Sequence, residues 1–264
     1  MEEAKRFIDL FNKYNSVTYF GETSRVHLMK FSERVPFSNI AQFDKPDIVI
    51  ESDDFFYFFE YFKFDSTKNN KKGSSIQQEN AKIQRDFKEK ARKAIEEKNK
   101  KSVMYRATYT SNRTKEDYIS NFIDVFRNHY NKLESYKINA KVSELKKEYE
   151  FGFIIENSSI LPDFVLNDNR KPQIVIPIYF VEIIKIFKES KDVKNIFYIT
   201  PNGNSGYHIF YFRNCEALFN ELEKLDISQF DDRDIINWKP HTIGVTEVIT
   251  KEEILEYKKD KKNT

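Results

Sequence analysis

The chain has 264 residues, with 25 Phe, 15 Tyr, only 6 Gly and 7 Pro, and a formal net charge of +2. That length supports one large domain or two small ones around a sizeable core, and the scarcity of Gly and Pro excludes a collagen-like or long low-complexity chain. No run of about 18 apolar residues occurs, which excludes a membrane-spanning helix. A single cysteine, Cys215, excludes an internal disulfide and a cysteine-based zinc site and fits a reducing, cytoplasmic compartment.

The first predicted element is an amphipathic helix near residues 2–14, with Ala4, Phe7, Ile8, Phe11 and Tyr14 at helical spacing. Its acids and its lack of a long apolar segment speak against a signal peptide. VTYF and RVHLMKF, between residues 17 and 43, each read as a short strand. Residues 46–65, PDIVIESDDFFYFFEYFKFD, give the clearest strand signal, two β-branched and aromatic runs around a polar SDD turn. The second run is apolar on both faces, as expected of an inner strand covered on both sides. A polar loop over 66–75 leads into a helix over 76–99 with the stripe Ile76, Ile83, Phe87, Ala91, Ala94 and Ile95. VMYRATYT reads as a strand, and Thr114 caps a further helix with Ile119, Phe122, Ile123, Phe126 and Tyr130 on its apolar face.

The second half reads as strands at 151–155, 163–166 and 173–178, a helix at 179–190, strands at 195–200 and 207–212, and a helix at 215–225. A late helix is expected near 250–259. Gly203-Asn204-Ser205-Gly206 lies between two strand-like runs with no helix after it, so it reads as a hairpin turn and not a phosphate-cradling loop. The class is mixed α/β: a central mixed sheet with flanking helices and a helix–hairpin–helix core in the N-terminal half. A change of pattern near 140–150 suggests lobes at 1–145 and 146–264, or one continuous domain.

Charge is unevenly spread. Fifteen Lys and Arg against five acids between Lys68 and Lys115 give a local surplus of +10. Such a surplus suits a phosphate-binding surface, and it equally suits a solvated helix with a basic loop. Lys82, Arg85, Lys88 and Arg92 recur every three or four residues along the 76–99 helix and form a candidate nucleic-acid-binding row. None of the four histidines has a partner at i, i+4, so no HExxH-type zinc helix exists, and no G-x-S-x-G nucleophile turn or P-loop occurs.

The functional expectation rests on the hairpin. With Asp53-Asp54 as a two-residue turn, Asp47 stands directly opposite Glu60. Opposed residues hold their Cβ atoms about 4.5–5.5 Å apart. Two carboxylates that close, amid apolar neighbours, repel each other unless a cation lies between them, and oxygen ligands suit Mg²⁺ or Mn²⁺. In a regular strand Lys63 points away from Glu60, and a bulge near Tyr61 or Phe62 would return it. Pro162-Asp163 also precedes strand-like runs, but no acid opposes it.

Pro46, Asp47, Glu60 and Lys63 resemble the core motif of the PD-(D/E)xK nuclease superfamily, with Glu-x-x-Lys here where that family usually has Glu-x-Lys. The resemblance implies a restriction-endonuclease-like core and a metal-dependent nuclease, in restriction, phage defence or a mobile element. It implies that Asp47 and Glu60 hold Mg²⁺ or Mn²⁺ and that Lys63 helps activate water. Glu22 or Glu33 would be a third acid, and the partner would be nucleic acid, DNA before RNA. The alternative is a non-catalytic nucleic-acid- or protein-binding chain that keeps a nuclease-like core.

Overall fold

The fold is described from a computed structural model. It covers residues 2–13, 17–35, 38–42, 45–66, 69–70, 73–98, 101–111, 114–158, 164–166, 172–201, 206–224 and 241–250. The elements, in chain order, begin with α1 (Glu2–Lys13), β1 (Val17–Tyr19), α2 (Gly21–Arg34), β2 (Asn39–Gln42), β3 (Ile48–Glu51) and β4 (Phe55–Phe64). Next come β5 (Asn69–Asn70), β6 (Gly73–Ser74), α3 (Ser75–Lys98), β7 (Ser102–Ser111), α4 (Lys115–Tyr130), α5 (Leu133–Asn139) and β8 (Glu148–Asn157). The chain continues through β9 (Phe164–Leu166), β10 (Pro172–Ile174), α6 (Val181–Glu189), β11 (Val193–Pro201), β12 (Tyr207–Arg213), α7 (Glu216–Lys224) and β13 (His241–Thr250). The class is mixed α/β, as the sequence pattern predicts.

Two compact units divide the chain, Met1–Ser66 with Lys115–Ile236, and Thr67–Thr114 with Asn237–Thr264. The first is built on a seven-stranded mixed sheet in the order β1-β12-β11-β8-β4-β3-β2. β4 pairs parallel with β8 along all ten of its residues, so the sheet runs across residue 145. The expected boundary there is not where the units part.

β4 is covered on both faces because its residues are apolar at both parities. On one face Phe55, Tyr57, Phe59 and Tyr61 join Ile154, Phe197, Ile199 and Tyr211 under α1 and α2, which supply Ala4, Phe7, Leu10, Leu28 and Phe31. On the other, Phe62 and Phe64 meet α4: Phe62 stacks on His129 at 4.2 Å between ring centroids, and Phe64 meets Tyr118 and Phe122 edge-on. Tyr118, Phe122 and Phe126 are buried one turn apart, which is why a 3.6-residue period places one face of α4 on the sheet. The RVHLMKF segment is helical and lies within α2, not a strand. Of α2 only Ser24, Leu28 and Phe31 are buried, a stripe too narrow to announce a helical period.

A charged network spans the far strands. Arg213 on β12 makes a bidentate contact with Glu150 on β8, at 2.6 and 2.5 Å, and Asn195 on β11 donates to the same carboxylate at 2.9 Å. Burial disfavours both charges, but the pairing wins: Glu150 is held below its ordinary carboxylate value and Arg213 above its own.

In the second unit β7 and β13 form an antiparallel ladder from Ser102↔Thr250 to Ser111↔His241. Phe87, Ala91 and Ile95 of α3 form a small core with Val103 of β7. Beyond Thr250, the expected late helix lies outside the described residues, as does Pro162-Asp163.

Candidate functional site

The hairpin register is the one predicted. Ile48 pairs with Phe59, Val49 with Phe58, Ile50 with Tyr57 and Glu51 with Phe56. Extended by one residue, that register sets Asp47 across from Glu60. Alternation along the strands puts both on the face that α4 and α5 cover. Asp47 is half-buried and its Oδ2 accepts the backbone N–H of Tyr61 at 2.8 Å, which fixes it beside β4.

Glu60 is 7 % exposed and is held by two residues of the covering helices. The Tyr136 hydroxyl, from α5, donates to Oε1 at 2.8 Å, and Nδ1 of His129, from α4, lies 3.0 Å from the same oxygen. With Glu60 ionised, His129 Nδ1 is the donor. The His129 ring is held flat against Phe62, so its orientation is set from two sides. Burial, followed by the Glu60 hydrogen bond and the charges of Glu60 and Asp47, raises the Tyr136 phenol well above its ordinary value, so it stays a donor. The second oxygen of Glu60, Oε2, is buried and has no hydrogen-bond partner.

Lys63 does not join this group. β4 pairs with β8 without interruption from Phe55 to Phe64, so no bulge turns the strand, and Lys63 lies on the face opposite Glu60, exposed. On its own face it is in register with Glu156. That carboxylate is 4 % exposed and takes the Tyr61 hydroxyl and the Arg6 guanidinium, whose Nε donates to it at 3.2 Å.

Neither expected third acid is near the pair. α2 lies over the opposite face of the sheet; Glu33 is exposed there, and Glu22 is exposed and bound to Arg25, whose Nε donates to it at 2.7 Å. Among the described residues no group of three or more His, Cys, Asp or Glu could hold a metal ion. His129 and Tyr136 are the site residues that the sequence did not single out. Each lies about seventy residues beyond Glu60, and nothing local marks them.

The basic row lies on α3, in the second unit. Lys82 and Arg85 are exposed and Lys88 and Arg92 half-buried, with Phe87, Ala91 and Ile95 turned into the small core. Arg92 is engaged within the helix, with Glu89 at 3.1 Å and Glu96 at 3.4 Å. Arg85 has its Nε on the Ala81 carbonyl at 3.2 Å.

Comparison with known protein families, characterised proteins and solved structures finds no match for the chain.

Proposed function

We propose that this protein is a divalent-metal-dependent nuclease that hydrolyses phosphodiester bonds at the Asp47–Glu60 pair. The observation that carries this reading is Oε2 of Glu60: a buried carboxylate oxygen without a partner, on the same sheet face as Asp47. A buried anion with one free oxygen is costly unless a cation meets it. Two carboxylates fit Mg²⁺ or Mn²⁺, because such ions are commonly held by one or two carboxylates, with waters and substrate phosphate completing the shell. Asp47 and Glu60 would hold the ion, which supplies a water of lowered pKa and charge for the phosphate. Tyr136 and His129 keep Glu60 in place, and their hold on Oε1 leaves Oε2 as the oxygen for the metal. The basic row on α3 is proposed to bind the nucleic-acid backbone through Lys82, Arg85, Lys88 and Arg92.

The position of Lys63 favours a second reading, a non-catalytic nucleic-acid- or protein-binding chain with a nuclease-like core. The two separate cleanly. Plasmid and single-stranded DNA and RNA are incubated with Mg²⁺ or Mn²⁺, alongside a thermal shift with Mn²⁺. The nuclease reading expects cleavage and a rise in Tm, both lost in Asp47→Ala and in Glu60→Gln. Cleavage that survives in both variants overturns it, and the absence of both cleavage and Mn²⁺ stabilisation supports the second reading.

A further inference from the structure

The two units of the chain divide its charge between them. The second holds twenty Lys and Arg against ten Asp and Glu, a formal +10, which leaves the first at −8. That division follows the packing of the chain, so one structural unit carries the whole basic surplus. Such a field draws in a polyanion, and it opposes a second copy of the same unit.

At the centre of the second unit is the β7–β13 ladder, two antiparallel strands of ten residues with no third strand among the described residues. One face rests on α3 through Val103. The register puts Met104 and its partner Val248 on the other face, where they are 65 % and 51 % exposed. Of the ten positions on this outer face, five are Thr, one is Arg106 and none is acidic or aromatic. Gly244 lies on it inside the strand, where the lack of a side chain lets another backbone come close.

These features select one polyanion. The major groove of B-form DNA admits a two-stranded ribbon, and a ten-residue strand extends roughly 34 Å, about one turn of the duplex. Thr, Ser and Arg hydrogen-bond to base edges in that groove, and apolar groups meet the methyl of thymine. Double-stranded RNA keeps its major groove too narrow for side chains to read. A single strand is held by aromatic rings that stack on its bases, and the outer face has none.

We propose that the β7–β13 ribbon lies in the major groove of double-stranded DNA and reads base edges with its outer face, giving the protein a sequence preference. This rests on the nucleic-acid partner proposed above, and not on metal at the Asp47–Glu60 pair. It adds to the α3 row a contact that distinguishes sequences, which phosphate contacts do not.

The full chain, in EDTA so that no cleavage occurs, is used to select from a pool of duplexes with a randomised centre. A common sequence should emerge, bound at least about tenfold more tightly than a shuffled duplex of the same composition. Methyl green, which occupies the major groove, should displace the protein, and netropsin, a minor-groove ligand, should not. Met104→Gln with Val248→Thr alters two exposed side chains. It should cut the preference to about twofold or less, with Tm and affinity for the shuffled duplex nearly unchanged. A pool that yields no common sequence overturns the proposal. So do displacement by netropsin alone, tighter binding to single-stranded DNA or double-stranded RNA, and a preference that survives intact in the double variant. Because no metal is present, these outcomes stand apart from a loss of cleavage or of Mn²⁺ stabilisation, which bears only on the metal pair.

Discussion

The hydroxyl of Tyr136 donates to Oε1 of Glu60 at 2.8 Å, both side chains being buried beneath the helices that cover one face of the sheet. Tyr136→Phe removes that donor and leaves the acid with His129 alone on that oxygen. A hydrogen bond to a charged group contributes about 1.5–3 kcal/mol, and a loss of that size is expected in urea unfolding with an unchanged m value. The pH dependence has a definite sign. The folded-state phenol is raised above its ordinary value of 10.0, so its contribution is complete below that pH. It fades as the unfolded phenol ionises above that pH, and the gap between wild type and Tyr136→Phe should narrow there.

Glu60 and Lys63 differ in what their removal should do. They lie on opposite faces of an unbulged strand, so a shared role in catalysis is not expected. If the proposed cleavage takes place at the Asp47–Glu60 pair, Lys63→Ala should leave it within about twofold of wild type, while Glu60→Gln should lower kcat by about a hundredfold or more. A large loss in Lys63→Ala would place the chemistry on the other face of the sheet, beside Glu156 and Arg6.

The hairpin shows how much was readable beforehand. Both runs are apolar at either parity, so burial alone would not choose a register; the two-residue turn at Asp53-Asp54 sets it, and with it the opposition of Asp47 and Glu60. The partners of Glu60 are not set locally, because α4 and α5 arrive at it after a long excursion through another unit. Residues 241–250 carried no strand assignment for the same reason, since their pairing partner is β7, more than a hundred residues earlier. For α2, alternating polar and apolar residues in RVHLMKF imitate a half-buried strand, and only its packing over Tyr57 and Phe59 decides for helix.

Glu150 and Arg213 give an acid-side prediction. The folded-state carboxyl is held below its ordinary value of 4.5, so the stabilisation is complete above that pH and is lost as pH falls through the lower folded value. Glu150→Gln leaves a largely buried guanidinium without its charge partner and should cost about 3 kcal/mol near neutrality. The difference from wild type should shrink steadily on acidification below about pH 4.5, as followed by Tm against pH. A difference independent of pH would mean that the carboxylate charge contributes nothing.

Gly152 sits where β8 passes beneath Phe59. A Cβ there would run into the Phe59 ring and lie 2.5 Å from the Asn195 carbonyl oxygen, which is backbone and cannot step aside. Gly152→Ala should therefore destabilise by about 3 kcal/mol through overpacking, measured by chemical denaturation. Pairing it with Phe59→Leu should recover part of the loss.

Reversing Arg85 and Lys88 to Glu tests the basic row of α3. If these residues meet phosphates, affinity for nucleic acid should fall and the slope of log K against log salt should become shallower by about one unit per lost contact. Discrimination between base sequences should barely change, because phosphate contacts carry none. Unchanged affinity and slope would assign the row to a solvated helix face.

The ladder between β7 and β13 also sets an order in time. Synthesis delivers the whole seven-stranded sheet, from β1 through β12, before His241 leaves the ribosome. Until then β7 is a ten-residue strand whose ladder partner does not yet exist. An unpaired strand edge is a template for association with another chain. Shortened versions of the protein that stop after α7 are therefore expected to keep the large sheet yet to associate through β7. β13 thus acts as a latch for a unit that β7 began more than a hundred residues before it.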